Sequence, residues 1–417
     1  GCLYLTPNAS SRANWTLALL FSVFVFNFLD RQIFVILIEP IKQDLSLSDT
    51  QIGFLSGTAF ALFHTVAAIP LGRISDLYSR KLVISTGLAA WSIVTMLHGV
   101  AYSVSQLTLA RILVGVGESS SSPPSHSLIA DLFPPQRRGL AISIYAMGSY
   151  VGIGGGLALG GYLSDLYHWR TVFMIVGFPG ILLAVIFYFA VAEPKRGGDE
   201  ADSESPPPMR EALGDLIRNP ALRNLVLCTS FFVFTANAIG VWGPSLLIRA
   251  HDLSRTQVGG WLGGITALCG AAGLIVSGVA VDRLSQKDRR WFVWLPSLGA
   301  VLSIPAGIGF AMASSFETAL MYAVPMTFFG SFFLSPTHAA VQTIAPVRTR
   351  SLASGATIFT LSLLGVAAGP QVGGVLTDLL TPTHGDDAIR LAIVACHLSI
   401  PLGLLFAWRA SRALSKG

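Results

Sequence analysis

Apolar runs of about twenty residues recur from one end of this chain to the other, and they decide what it can fold into. Inside a bilayer no water satisfies backbone amides, so a spanning segment is a helix or part of a closed barrel. Uninterrupted runs of this length, without the alternation of barrel strands, read as helices. Twelve are expected, near residues 15–38, 50–73, 82–101, 105–127, 139–162, 170–192, 222–248, 257–281, 291–312, 317–342, 351–378 and 389–409. Only 12% of the 417 residues are charged, about half the share of a soluble domain, so no soluble fold of this size is supported. The expected class is an all-α membrane protein.

Its organisation follows from what lies between the runs. The longest polar segment, 193–220, carries Gly197-Gly-Asp-Glu and Pro206-Pro-Pro208, the composition of a linker. It divides the chain into an N-terminal six-helix bundle, 1–192, and a C-terminal one, 221–417. With the N-terminus placed in the cytoplasm, twenty of the 27 Lys and Arg fall in inside segments and five in outside ones. Arg31 and Arg111 lie within spans. That bias puts both termini in the cytoplasm, and it accounts for the net charge of +5 without any call on nucleic acid. The halves also repeat. Leu159-Gly-Gly-Tyr-Leu-Ser-Asp165 matches Val372-Gly-Gly-Val-Leu-Thr-Asp378, Arg138-Gly-Leu-Ala141 matches Arg350-Ser-Leu-Ala353, and Gly72-Arg-Ile-Ser-Asp76 matches Gly278-Val-Ala-Val-Asp282. Parallel repeats of six helices build transporters with a site at mid-membrane between two lobes.

Charges inside the spans mark where that site lies. Arg111 and Glu118 are seven residues apart, two turns of helix, and so share one face about 10 Å apart along the axis. Each ionised side chain at the bilayer centre costs about 2.5–3.5 kcal/mol and faces a partner or a cavity. Asp30 and Arg31 lie at similar depth in the first span. Two acids and two arginines sum to zero when all are ionised, and a proton on either acid leaves the cluster positive. Glu118 and Asp30 are therefore the expected proton-coupling groups. Arg111 and Arg31 are expected to hold a substrate's anionic head or to tune the acids, with a static Arg31–acid pair as the alternative. The last six spans hold almost no ionisable residue but many aromatics; Trp242, Phe332 and Phe333 are the expected tail-side cavity. Asp76, Arg80 and Asp282, at cytoplasmic helix ends, read as a conformational latch.

Gly72-Arg-Ile-Ser-Asp76-Leu-Tyr-Ser-Arg80-Lys81, its echo from Gly278 to Arg290, Arg111-Ile-Leu-Val-Gly115-Val-Gly117 and Gly365-Val-Ala-Ala-Gly369-Pro370 resemble the motifs of the major facilitator superfamily. A narrower resemblance rests on Asn27-Phe-Leu-Asp30-Arg31, Leu47-Ser-Asp-Thr-Gln-Ile-Gly53 and Glu118-Ser119, which look like a bacterial member of the Spinster family of lipid transporters. The run Ser119–Ser122 followed by Pro123-Pro124 departs from that pattern. The resemblance implies a monomeric, multi-pass protein of the bacterial inner membrane, moving a lysophospholipid or sphingoid lipid by alternating access. The alternative is a facilitator of a polar organic anion or a drug.

Enzyme chemistry finds no support. There is no Gly-Lys-Ser/Thr phosphate loop, no HExxH and no EF-hand pattern, and Gly117-Glu-Ser-Ser-Ser121 lacks the final glycine of a nucleophile elbow. The four cysteines are scattered, without metal spacing or a disulfide framework. No metal and no cofactor is expected, with the proton as coupling ion. The expected partners are an amphipathic substrate and the surrounding membrane lipids.

Overall fold

A computed structural model describes residues 7–194, 214, 217–345 and 350–415. Most of the linker expected at 193–220, the Arg348 loop and Lys416 lie outside them. Twelve long helical segments follow one another, and no strand occurs among the described residues. The first half holds α1 (Pro7–Ile36), α2 (Asp49–Gly53 continuing as Ala59–Leu77), α3 (Arg80–His98), α4 (Val104–Glu118, resuming as Ser122–Leu132), α5 (Pro135–Leu166) and α6 (Trp169–Ala190). The second half holds α7 (Pro220–His251), α8 (Arg255–Ile265 continuing as Ala271–Leu284), α9 (Trp291–Met312), α10 (Phe316–Gly330, resuming as Leu334–Ile344), α11 (Arg350–Leu361 continuing as Ala368–His384) and α12 (Ala388–Cys396, resuming as Ser399–Leu414).

Ten stretches are long and apolar enough to cross a membrane, and the last, Ala353–Leu414, contains both α11 and α12. Gly385 separates those two at φ 55°, a left-handed backbone that favours glycine. The helix α4 is absent from the ten because Arg111, Glu118 and the serine-proline run make it too polar, and it also stops at Glu118 and restarts at Ser122. The run expected at 105–127 is thus broken, and the serine-proline stretch explains how. Ser119, Ser120 and Ser121 each donate a hydroxyl to the carbonyl three residues back, at 2.7, 2.7 and 2.9 Å. Those bonds add to the backbone N–H groups of Ser120 and Ser121, which reach the Gly117 and Glu118 carbonyls at 3.1 and 3.2 Å, so the carbonyls at the break are satisfied in an apolar medium. Pro123 and Pro124 then sit in the first turn of the new helix, where a missing N–H costs nothing.

Packing sorts the helices into two groups: α1 lies on α5, α3 on α6 and α2 on α4, while α7 lies on α12 and α9 on α10. The groups meet along α5–α8 and α2–α11. In lipid, helix association depends on close packing rather than on removing water, so small residues at the crossings matter most. At Gly154 of α5 a Cβ would stand 2.6 Å from the Gly263 carbonyl of α8, so the two backbones touch. The α2–α11 seam has another device. Both helices widen into a π-helical turn, Phe54–Thr58 and Ser362–Ala367, and a Cβ at Gly57 would meet the Ala367 carbonyl at 2.5 Å. The largest buried cluster spans both groups at this end, with Ile33, Phe34 and Ile52 from one and Trp242, Leu246 and Phe310 from the other.

Candidate functional site

The charged cluster lies where α1, α3 and α4 converge with α2. Glu118 closes the first part of α4 and is fully buried. Its partner is Arg31 of α1, whose Nε donates to Oε2 at 2.8 Å; Nη2 of the same guanidinium donates to Asn27 Oδ1 at 2.8 Å. The Arg31 guanidinium also lies 4.8 Å from the Phe28 ring centre and 4.5 Å from that of Phe60. Glu118 Oε1 is buried and has no partner among the described residues.

Asp30 points elsewhere, as neighbours on a helix must. It is 4% exposed, its Oδ2 accepts from the Thr95 hydroxyl at 3.0 Å, and its Oδ1 has no partner among the described residues. No cation lies within ion-pair distance of Asp30 among the described residues, and the Thr95 hydroxyl is its one side-chain hydrogen bond there.

Arg111 is the group whose surroundings differ most from what its sequence spacing suggests. Though it shares a helix face with Glu118, it pairs with neither acid. Its Nε donates to the Leu55 carbonyl at 3.1 Å, and its guanidinium lies 4.4 Å from the Phe34 ring centre and 4.9 Å from that of Phe60. The π-helical turn beginning at Phe54 supplies the first contact, since Leu55 lies within it. Only 3% of Arg111 is exposed, and its terminal nitrogens hold no hydrogen bond among the described residues. Two aromatic faces and one carbonyl therefore hold a cation whose outer donors are unspent.

Across the molecule, the second half forms an apolar cavity of about 250 Å³, lined by Phe232, Ile239, Pro244, Met326, Phe329 and Phe333 among others, with Tyr150 and Leu157 contributed by α5. Of the three aromatics expected there, only Phe333 lines it. Trp242 is 1% exposed, donates Nε1–H to the Pro370 carbonyl at 2.9 Å and fills the α7–α11 contact. Phe332 packs against α9 at Gly299, where a Cβ would stand 2.5 Å from its own. The pattern of aromatics in sequence gives no rotation about the helix axis, and rotation decides which ring reaches the cavity.

The expected latch is also placed differently. Arg80 is buried inside the first half, donating to Glu193 Oε1 and Ser127 Oγ at 2.8 Å each and to Asp131. It ties the start of α3 to the ends of α4 and α6. Burial works against the charged form of Glu193, but the Lys81 N–H, Arg80 and Ser79 outweigh it and hold this carboxyl below the ordinary glutamate range. Asp282 is exposed at the end of α8, and the Asp76 side chain lies outside the described residues.

Contacts that join the halves sit at the opposite end and were not read from the sequence. Asp378 of α11 accepts from the backbone N–H of Asp49 at 3.1 Å and of Thr50 at 2.7 Å, the first turn of α2. Asp165 of α5 accepts from the N–H of Thr256 at 2.9 Å, the first turn of α8. Each receiving helix opens with a capping box, Ser48 with Gln51 and Ser254 with Gln257. Arg249 adds bonds to Glu39 at 2.9 Å and to Asp49 at 2.7 and 3.0 Å, and Lys42 reaches Asp49 at 2.8 Å. The signal was in the duplication: Asp165 and Asp378 end the matched segments, and Leu47-Ser48 to Gly53 repeats as Leu253-Ser254 to Gly259.

Comparison with known proteins agrees with this architecture. The profile of the Major Facilitator Superfamily matches residues 20–370. An MFS-type efflux pump of Mycolicibacterium smegmatis is 30% identical over 390 residues, covering 92% of this chain and 89% of that protein. The sphingosine-1-phosphate transporter SPNS2 of Danio rerio is 26% identical over 408 residues, covering 92% of this chain and 81% of its own length. Among solved structures, a bacterial homologue of the human lysosomal transporter Spinster, inward-facing and unoccupied, superposes with a TM-score of 0.88 at 26% identity over 99% of both chains.

Proposed function

The chain belongs to the major facilitator superfamily, a family of transporters and not of enzymes, and from that premise we propose that it is a proton-coupled carrier of a single-chain anionic lipid, of lysophospholipid or sphingoid type. The observation that carries this reading is Arg111, a buried cation with no acidic partner and unspent donors among the described residues, in a molecule whose other half holds an apolar cavity. An anionic head suits the first region and an acyl tail the second; a sugar brings neither a charge for Arg111 nor a tail for the cavity. Its resemblance to Spinster proteins points the same way.

Coupling follows from the Arg31–Glu118 pair. While Glu118 is ionised it holds Arg31. A proton on Glu118 loosens that bond and turns the Arg31 guanidinium towards the anion already attracted by Arg111. Proton and anion binding then favour one another, and linkage makes the effect reciprocal. Asp30, with no cation in contact, is the second proton site.

Lys and Arg placement puts both termini in the cytoplasm of a bacterial inner-membrane protein with twelve crossings, in two bundles, 1–192 and 221–417, joined by the linker 193–220. The end closed by Asp165, Asp378 and Arg249 is then the outer one. Asp76 and Asp282 act when the inner end closes in turn. Purified protein in liposomes tests the reading. Saturable uptake of a lysophospholipid supports it, while saturable uptake of an organic anion or a drug without lipid uptake replaces it with a facilitator of that substrate.

A further inference from the structure

His64 stands at the charged cluster, and the transport reading leaves it without a task. It lies on α2, half-buried, with Nδ1 3.1 Å from the Gly115 carbonyl of α4. A carbonyl only accepts, so Nδ1 donates and carries a proton. The imidazole stacks on Phe60, centroids 5.4 Å apart and planes 21° apart. That same ring carries Arg31 at 4.5 Å and Arg111 at 4.9 Å, so one aromatic side chain organises all three groups. Gly115 makes the arrangement possible. A Cβ there would stand 2.7 Å from the Phe60 carbonyl oxygen and 3.3 Å from the His64 backbone nitrogen, forcing α2 and α4 apart.

With Nδ1 committed, the neutral ring presents the bare lone pair of Nε2, which has no partner among the described residues and is not enclosed. Everything else that Phe60 gathers is a donor. The groups gathered on Phe60 therefore offer two guanidinium groups for an anion and one acceptor beside them. We propose that His64 is a specificity-determining residue that accepts a hydrogen bond from a hydroxyl or ammonium carried next to the substrate's anionic group. The substrate class narrows accordingly, from any alkyl phosphate to a single-chain phospholipid with a donor adjacent to its phosphate. This inference rests on the reading of Arg31 and Arg111 as the head-group site.

The test is equilibrium binding of two probes to the purified full chain: hexadecyl lysophosphatidic acid, with a hydroxyl beside its phosphate head, and hexadecyl phosphate, which has none. One neutral hydrogen bond corresponds to about a fivefold to tenfold preference for the first probe. In His64→Leu that preference vanishes while hexadecyl phosphate binds within about twofold of the parent. In His64→Gln, whose amide oxygen can accept, part of it returns. Arg111→Gln weakens both probes alike. Equal binding of the two probes by the parent, or an equal loss of both in His64→Leu, overturns the assignment and leaves the head-group site standing. Failure of the parent to bind either probe overturns the head-group reading and this inference with it.

Discussion

Replacing Glu118 by Gln removes the charge that holds Arg31 and keeps the shape, so it stands in for the protonated carrier. A charge-assisted hydrogen bond is worth about 1.5–3 kcal/mol. The Arg31 Nε–Glu118 Oε2 bond at 2.8 Å, with a carboxylate that is fully buried, belongs in that class. Releasing Arg31 for the head group is therefore expected to tighten binding of an anionic lysophospholipid by roughly tenfold to 150-fold at a pH where the parent's Glu118 is ionised. The parent reaches that affinity only as pH falls, with at most one decade per pH unit for one linked proton. Titrating the lipid against parent and Glu118→Gln at pH 6 and pH 8.5, in detergent of fixed composition, measures both limits. The variant is expected to bind tightly at both values and the parent only at the lower one. A Gln variant that keeps the parent's pH dependence, or that binds less tightly than the parent at high pH, refutes the view that Glu118 competes with the substrate for Arg31.

Other expectations follow from the contacts at the two ends of the bundle. A carboxylate at a helix N-terminus contributes about 0.3–1 kcal/mol, so Asp378→Asn is expected to raise the outer-open population roughly twofold to fivefold. Spin labels at exposed Gln43 and Thr383 in an otherwise cysteine-free chain would read this as a growing long-distance component, and an unchanged distribution would remove Asp378 from the gate. Gly154→Leu would press a side chain into the Gly263 backbone and is expected to abolish the short-distance component and most transport. Because the folded-state pKa of Glu193 is depressed, its contribution to stability is present at neutral pH and lost as pH falls through its folded value. The thermal midpoint of Glu193→Gln should therefore lie below the parent's at pH 7 and converge on it only at a pH below the ordinary glutamate range. An offset of equal size at both values would assign the loss to packing.

Much of this arrangement is visible in the residue order, and the parts that are not share a cause. Helix number, the duplication and the four intramembrane charges follow from apolar length, repeats and insertion cost, none of which needs a rotation angle. The pairing does. Spacing alone places Glu118 beneath Arg111, whereas Arg31 takes it from another helix and Arg111 turns to Leu55, Phe34 and Phe60. The break after Glu118 and the π-helical turn at Phe54 set those directions. Trp242 and Phe332 were misplaced for the same reason. Asp165 and Asp378 are legible as a repeat but not as contacts that join the halves, because their partners are backbone amides of distant helices, which no side-chain pattern announces.

Coupled flux in proteoliposomes tests the central claim most directly. With the parent protein, adding a lysophospholipid on one side is expected to move protons across the membrane, and in Asp30→Asn and Glu118→Gln that substrate-driven proton movement is expected to be lost. Full substrate-driven proton movement in both variants would contradict the account.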